Sequence, residues 1–378
     1  MKGKILKMNI IITAKIKLNP NEEQKSKLLE TMTRYTQACN YLSKIIFLNK
    51  ELRQSELQKT YYNHLRDKFK LRSQMTQSVI KTVIARYRSQ KTKKEWNIVL
   101  FKRWEYDLVF ERDYSFLEDI FSLNTLSGRE KVYFQKKGME KYFDGSWKFG
   151  TAKLILKNKE FYLYIPVTKD FSPINISEIK NVVGVDFGMN FLMTTYDSDG
   201  KTFFFNGRKI KDKRAKYKML RSDIQKNRTS SARSKIKDIG SRESRWVNDV
   251  CHSITKDLIN RYGSNTLFVI EDLSGIRKET EKVRREDRHV NVSWPFNRLR
   301  KILEYKAGLN DCLVLVVDPR YTSQSCPKCG HTSKDNRIKK EHRFECRGCG
   351  YKSNDDRVAA MNLQGKGVDY VSKETIRA

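Results

Sequence analysis

Acidic residues are scarce in this sequence. Only 44 aspartates and glutamates stand against 77 lysines and arginines, a formal net charge of +33 over 378 residues. The chain still carries 18 Tyr, 19 Phe and 5 Trp, so the excess charge is not that of a disordered basic tail. It marks a folded binder of polyanions, with nucleic acid the first partner to expect. Long apolar runs are missing too. Nothing approaches the ~20 residues that a spanning helix requires, which leaves no membrane partner. The apolar run at Met8 to Ile12 is too short for a signal peptide and lacks a small-residue cleavage site, and neither end carries a lipidation motif, so a cytoplasmic location is expected. Internal repeats and low-complexity segments are absent, and the length suits two or three domains with cores of their own.

Cysteine is sparse, at seven, but four are arranged. Cys326 and Cys329 form one C-x2-C knuckle and Cys346 and Cys349 a second, with a glycine after each second cysteine and a polar, charged stretch from Gly330 to Glu345 between them. Four thiolates in this spacing fill a tetrahedral Zn²⁺ shell and leave no open position, so the site is structural. Two disulfides or four unrelated core cysteines are the plainer alternatives, and either His331 or His342 is a conceivable substitute ligand. Cys39, Cys251 and Cys312 lie in apolar patterns and are expected to be reduced core residues.

Residues 9–18 alternate as a strand and stop at Asn19-Pro20-Asn21. Leu28, Met32, Tyr35, Cys39, Leu42 and Ile46 then recur at helical steps, as do Val79, Ile80, Val83, Ile84 and Tyr87, predicting a helical bundle over residues 20–92. Short alternating runs follow at Asp107 to Phe110, Glu130 to Phe134, Lys153 to Lys157 and Phe161 to Val167. They predict a small antiparallel barrel completed by the first strand, with the bundle inserted into it. Val182 to Asp186 is a buried strand ending in a carboxylate, followed by strands at Phe191 to Tyr196 and Phe203 to Phe205. Asp197 and Asp199 between these two are turn formers. From Gly207 to Arg245 there are 15 basic and 4 acidic residues, a density that repels itself unless a polyanion lies against it. Further buried strands are predicted at Leu267 to Ile270, ending in Glu271, and at Leu313 to Val317. Between them come a basic loop, Arg277 to Arg288, and a helix from about Ser293 to Asn310. After the second knuckle, Asn354-Asp355-Asp356 is an acidic N-cap for a helix through Val358, Ala359, Ala360 and Leu363.

Asp186, Glu271 and Asp356 thus stand at the ends of three elements. Hard oxygen ligands converging from such places are what two Mg²⁺ ions need for phosphodiester cleavage. The motifs VGVDFG, VIEDLSG, WPFNRLRKILEYKA, VDPRYTSQSCPKCG and CGYKSNDDRVAAMNL, with NPNEEQ near the start, resemble those of the TnpB family. That family comprises RNA-guided DNA endonucleases encoded by insertion sequences and related to compact type V CRISPR effectors. The resemblance implies an α/β fold with an RNase H-like RuvC domain, an N-terminal β-barrel carrying a helical insertion, and a zinc ribbon inserted near the C-terminus. On that pattern residues 1–19 and 93–172 form a wedge-like barrel, 20–92 a recognition lobe, 178–320 and 351–365 the RuvC domain, 321–350 the ribbon and 366–378 a tail.

The implied function is RNA-guided DNA endonuclease of an insertion sequence, cutting beside a short adjacent motif by two-metal hydrolysis. A guide-dependent DNA-binding repressor that does not cut is the alternative. The implied partners are a guide RNA from the element's own end and double-stranded target DNA, in a prokaryotic nucleoid, and either a monomer or a homodimer is compatible. Asp186, Glu271 and Asp356 would be the catalytic Mg²⁺ ligands, and Cys326, Cys329, Cys346 and Cys349 would hold zinc. Where the family reads Asn before the Ala-Ala pair this chain has Val358. Registering on that pair selects Asp356 over Asp355, whose replacement by alanine is then expected to be mild. No tyrosine-nucleophile or paired-His motif supports a strand-transferring transposase.

Overall fold

The computed structural model describes residues 4–5, 9–92, 94–102, 104–170, 174–188, 191–273, 295–338 and 341–377. The chain divides into two compact units, Asn9–Asp170 and Met1–Met8 with Phe171–Ala378. Strand β1 (Lys4–Ile5) belongs to the second unit.

The first unit begins with β2 (Asn9–Asn19), then α1 (Glu22–Asn49), α2 (Gln54–Phe69) and α3 (Ser73–Thr92). A capping box starts α1: Gln24 N–H donates to Asn21 Oδ1 at 2.8 Å, and Asn21 N–H donates to Gln24 Oε1 at 3.1 Å. The stripe Leu28, Met32, Tyr35, Cys39, Leu42 and Ile46 is buried, as are Val79, Ile80, Val83, Ile84 and Tyr87 of α3, so the helical periodicity reports the packed face. The strands are β3 (Glu105–Leu108), β4 (Tyr114–Leu117), β5 (Ile120–Thr125), β6 (Gly128–Phe134), β7 (Lys148–Phe149), β8 (Ala152–Lys157) and β9 (Glu160–Asp170). They form one sheet with β2, in the order β3-β8-β9-β2-β6-β5-β4, with β7 on β9. A bridge from Phe110 to Tyr114 lies between the sheet's two end strands, making a nearly closed barrel. Asn158 and Lys159 turn β8 into β9 with φ of +52° and +64°, the left-handed pair that a tight hairpin requires. The hairpin β4–β5 goes beyond the sequence-based strands.

The second unit continues with β10 (Asn181–Asp186), β11 (Phe191–Tyr196), β12 (Thr202–Asn206), α4 (Arg208–Gln225), α5 (Ser230–Tyr262), β13 (Thr266–Glu271), α6 (Phe296–Leu309) and β14 (Leu313–Val317). It closes with β15 (Arg337–Ile338), β16 (Arg343–Glu345), β17 (Lys352–Asn354) and α7 (Asp355–Arg377). The main sheet has the order β1-β14-β13-β10-β11-β12. Strands β10, β13 and β14 are mutually parallel, whereas β10, β11 and β12 form an antiparallel meander. Asp197 serves the β11–β12 turn as expected, accepting from the amides of Asp199 and Lys201. The sheet is covered on both faces. Val183, Val185, Phe268 and Ile270 pack with Val247, Cys251 and Leu258 of α5 and Leu299 and Leu303 of α6. On the other side Val182, Leu267, Val269 and Leu315 pack with Leu363, Tyr370 and Val371 of α7. The predicted basic loop Arg277 to Arg288 and the helix start at Ser293 lie outside the described residues; the helix is described from Phe296.

Helix α7 continues unbroken to Arg377, through Gly365 and Gly367, so residues 366–377 prolong the helix that covers the sheet. The reason is a close approach. A Cβ on Gly367 would stand 2.7 Å from Val182 Cγ1 and collide with Val269, and a Cβ on Gly184 would overlap the carbonyl of Ala360 and lie 2.5 Å from the amide nitrogen of Gln364. The helix backbone therefore rests almost directly on β10. Gly184→Ala is expected to force the two apart and destabilise this unit by about 3 kcal/mol, the upper end of overpacking costs. Urea unfolding that shows a change below half of that would mean the helix seats elsewhere.

Candidate functional site

Strands β10 and β13 run parallel with Val185 opposite Ile270, so their last residues, Asp186 and Glu271, emerge side by side at one end of the sheet. Helix α7, seated on β10 through Gly184, brings its first turn to the same end; Asp356 Oδ2 lies 3.7 Å from where a Cβ on Gly188 would be. The charges of Glu271 and Asp356 both act on Asp186. Burial raises Asp186 well above the ordinary carboxylate range, and the charges of Glu271 and Asp356 raise it further. Glu271 is also raised by burial, against a hydrogen bond from Thr322 and the cations Lys366 and Arg337. Asp356 is pushed up to about 6 by burial and by Asp355. Buried carboxylates whose charges act on Asp186 are a hard-oxygen donor set that a divalent cation would relieve, and by donor chemistry Asp186, Glu271 and Asp356 suit such an ion, although their oxygens do not all lie within 4.8 Å of one another.

Asp355 has a different environment. It is fully buried, its Oδ2 accepts from Arg337 Nε at 2.8 Å, and its Oδ1 accepts from the Asp356 amide at 3.0 Å and faces His342 Nδ1 at 3.7 Å. His342, Asp355 and Asp356 lie close enough together to form a second possible cation cluster. The expectation that Asp355→Ala would be mild does not suit this arrangement. Its loss leaves the half-buried Arg337 guanidinium without its carboxylate and detaches the ribbon from the start of α7, as breaking a buried pair does.

The cysteine cluster is explicit. The sulfurs of Cys326, Cys329, Cys346 and Cys349 lie within 4.8 Å of one another. The Sγ–Sγ separations of Cys326 to Cys349 and Cys329 to Cys346 are both 3.6 Å, near the edge of about 3.8 Å that a tetrahedron with 2.3 Å Zn–S bonds would have. A disulfide would need about 2.05 Å, so none is formed. The two knuckles repeat one backbone plan. Gly330 N–H donates to Cys326 O and Gly350 N–H to Cys346 O, each at 2.9 Å, with both glycines at φ near +70°. Burial would push Cys346 up, but the amides of Cys349 and Gly348 bring its thiol down to about 6. Despite the Tyr351 amide, the neighbouring sulfurs push Cys349 up to about 12, a cost that a cation bound among them would relieve. His331 and His342 are outside this group of four. Cys39, Cys251 and Cys312 are buried and free, with burial raising each thiol.

Two neighbours of the carboxylates were not legible as such in the sequence. Arg337 looks like one more basic residue of a basic chain, and Thr322 like part of a loop. Only the approach of each to a carboxylate distant in sequence gives it a place at the site.

Two family models match the chain. "Cas12f1-like, TNB domain" covers residues 296–363, and OrfB_IS605, described as "Probable transposase", covers residues 164–275. Among curated proteins, the chain is 30% identical to the TnpB-like protein MJ0751 of Methanocaldococcus jannaschii over 63% of this chain and 85% of that one. It is 23% identical to the CRISPR-associated endodeoxyribonuclease Cas12f1 of Sulfoacidibacillus thermotolerans, over 63% of this chain and 58% of the other. Among solved structures, a Cas12f1-sgRNA-target DNA complex shares the fold with a TM-score of 0.57 at 12% identity, covering 94% of this chain and 99% of that one. At 30% identity over 85% of the length of MJ0751, with two family models matching separate stretches, the chain is a member of the TnpB-like family.

Proposed function

We propose that this protein is an RNA-guided DNA endonuclease of an insertion sequence, with a RuvC-type active site made by Asp186, Glu271 and Asp356. The observation that carries the reading is the placement of Asp186 and Glu271 at the ends of adjacent parallel strands, with the charge of Asp356, from the first turn of α7, acting on Asp186. The meander β10–β12 followed by parallel β13 and β14, with the acids at the ends of adjacent strands, agrees with an RNase H-like core. When bound, divalent metal supplies the Lewis acidity that activates water and stabilises the leaving oxygen. The chain's own residues hold the oxygen ligands in place, and Arg337 fixes Asp355 beside Asp356. Convergence also weighs against a binder that only represses. Zinc in the four-cysteine ribbon would be structural, and the barrel and the helices α1 to α3 would serve as wedge and recognition lobe for a guide RNA and double-stranded target.

The charge has a location suited to this role. On α4 only Ile210 is buried, and Lys209, Lys211, Lys216 and Lys218 are exposed. Glu243 of α5 holds α4 in place by pairing with Arg214 at 3.2 Å and with Arg221. Purification from cells carrying the native flanking DNA is expected to yield bound RNA with a guide-length segment at one end. Replacing those four lysines by glutamine is expected to weaken nucleic-acid binding and to lower the slope of log K against log salt by about 3, from 0.7 to 0.9 per lost phosphate contact. An unchanged slope would return α4 to a merely solvated face, and protein free of RNA would remove the guided reading.

A further inference from the structure

The segment between β14 and the ribbon is a strap held on α7 and aimed at the active site. Asn362 Nδ2 donates to the carbonyls of Thr322 at 2.7 Å and Ser325 at 2.8 Å, and Lys366 Nζ donates to the carbonyl of Asp318 at 2.8 Å. Internal bonds stiffen it: Arg320 N–H donates to Asp318 Oδ1 at 2.9 Å, and the amides of Gln324 and Ser325 both reach Tyr321 O at 3.0 Å. Tyr321 adopts φ of +64°, a left-handed conformation that a bulky non-glycine residue takes only where its surroundings impose it. That constraint sets the direction of the next residue. Thr322 is 3% exposed, and its hydroxyl donates to Glu271 Oε1, 51 positions away in sequence, with Pro319 O a second acceptor at 2.9 Å.

We infer that Thr322 is a positioning residue for Glu271, delivered by a strap that Asn362 and Lys366 fasten to α7. The inference rests on the nuclease reading and adds to it a residue outside the acidic triad. A glutamate carries three side-chain torsions, and holding it in one rotamer by itself costs up to about 2 kcal/mol of rotamer entropy. A buried hydroxyl that occupies Oε1 restrains the carboxylate plane and leaves Oε2 to serve a cation. A carbonyl cannot donate, so among the described residues the single Thr322 proton has Glu271 and Pro319 as acceptors, and the carboxylate gives the stronger bond. Partners of this kind, one step removed from a cation, commonly change its affinity by about 10- to 100-fold when lost.

The test uses the full chain with its co-purified RNA, and compares Thr322→Val, Thr322→Ala and Thr322→Ser with wild type. Mn²⁺ binding is followed by electron paramagnetic resonance, and cleavage is followed across Mg²⁺ concentrations. Thr322→Val and Thr322→Ala are expected to weaken Mn²⁺ binding about 10-fold or more and to raise the Mg²⁺ needed for half-maximal cleavage in parallel, while target-DNA affinity stays unchanged. Thr322→Ser keeps the hydroxyl and should restore both. Wild-type Mn²⁺ binding by Thr322→Val, no rescue by serine, or loss of folding by both hydroxyl-free variants would each overturn the positioning role. Glu271→Gln separates the two levels. If it abolishes cleavage while Thr322→Val behaves as wild type, only the strap inference fails; if Glu271→Gln cuts normally, the nuclease site itself is misassigned.

Discussion

Asp186→Ala is expected to abolish guided DNA cleavage, by at least about a thousandfold, or about 4 kcal/mol of transition-state stabilisation. Asp186 ends the strand between β13 and β11, facing Glu271 and Asp356, and both of these raise its pKa. Excess Mg²⁺ should not rescue the variant, because the defect is a missing ligand rather than a low occupancy. Guide loading and target binding, which depend on base pairing and backbone contacts, should remain within a few-fold of wild type. The substitution also relieves repulsion among buried acids, so the variant should melt no lower than wild type. Residual cutting at wild-type rate would place the chemistry elsewhere, and failure to retain RNA would make Asp186 a structural residue.

Loss of the zinc proposed for the ribbon should also slow cleavage, though by less. Cys346→Ser removes the sulfur that two amides support, and structural zinc sites contribute on the order of 10 kcal/mol to the folding of small domains. The variant is expected to carry no stoichiometric zinc and to cut DNA at least about tenfold more slowly, although Cys346 touches none of the carboxylates. The connection runs through the chain. Strand β17 begins three residues after Cys349 and leads directly into Asp355, whose partner Arg337 is also on the ribbon. Elemental analysis and cleavage measured on the same preparation check both halves. Wild-type protein without zinc would remove the claim, and a zinc-free variant that cuts normally would uncouple ribbon from site.

Local patterns were the most readable part of this fold. The buried stripe of α1, the strand ending at Asp186 and the paired knuckles all follow from spacing, because each reports one element's own periodicity or chemistry. Readings that depended on a partner distant in sequence fared worse. Polar Ser115, Glu118, Asp119, Ser122 and Asn124 mask the hairpin β4–β5, which turns at Glu118 with φ of +53°. Gly365 and Gly367 look like the end of a helix, yet α7 continues because a glycine is what fits over Val182 and Val269. Asp355 reads as a spare acid until Arg337, 18 positions earlier, is seen to hold it. At the candidate site, the acids and thiols were visible as residue types in position, whereas Thr322 had no chemistry of its own to announce it.

The seating of α7 on Gly184 also sets when the site can exist. Asp186 and Glu271 are synthesised before α7, and the groove over β10 stays open until Ala360 and Gln364 arrive to fill it, and Asp356 comes with them. At about 5–20 residues per second, the interval between the first acid and the last is some ten seconds or more of translation. For the first half of that time the emerging chain, basic enough to hold nucleic acid, has one of its three carboxylates, for the second half two, and throughout it lacks the helix that completes the set. With the site proposed above, a ribosome-bound nascent chain would gather RNA before it could cut, and the order of assembly is written into the order of the sequence.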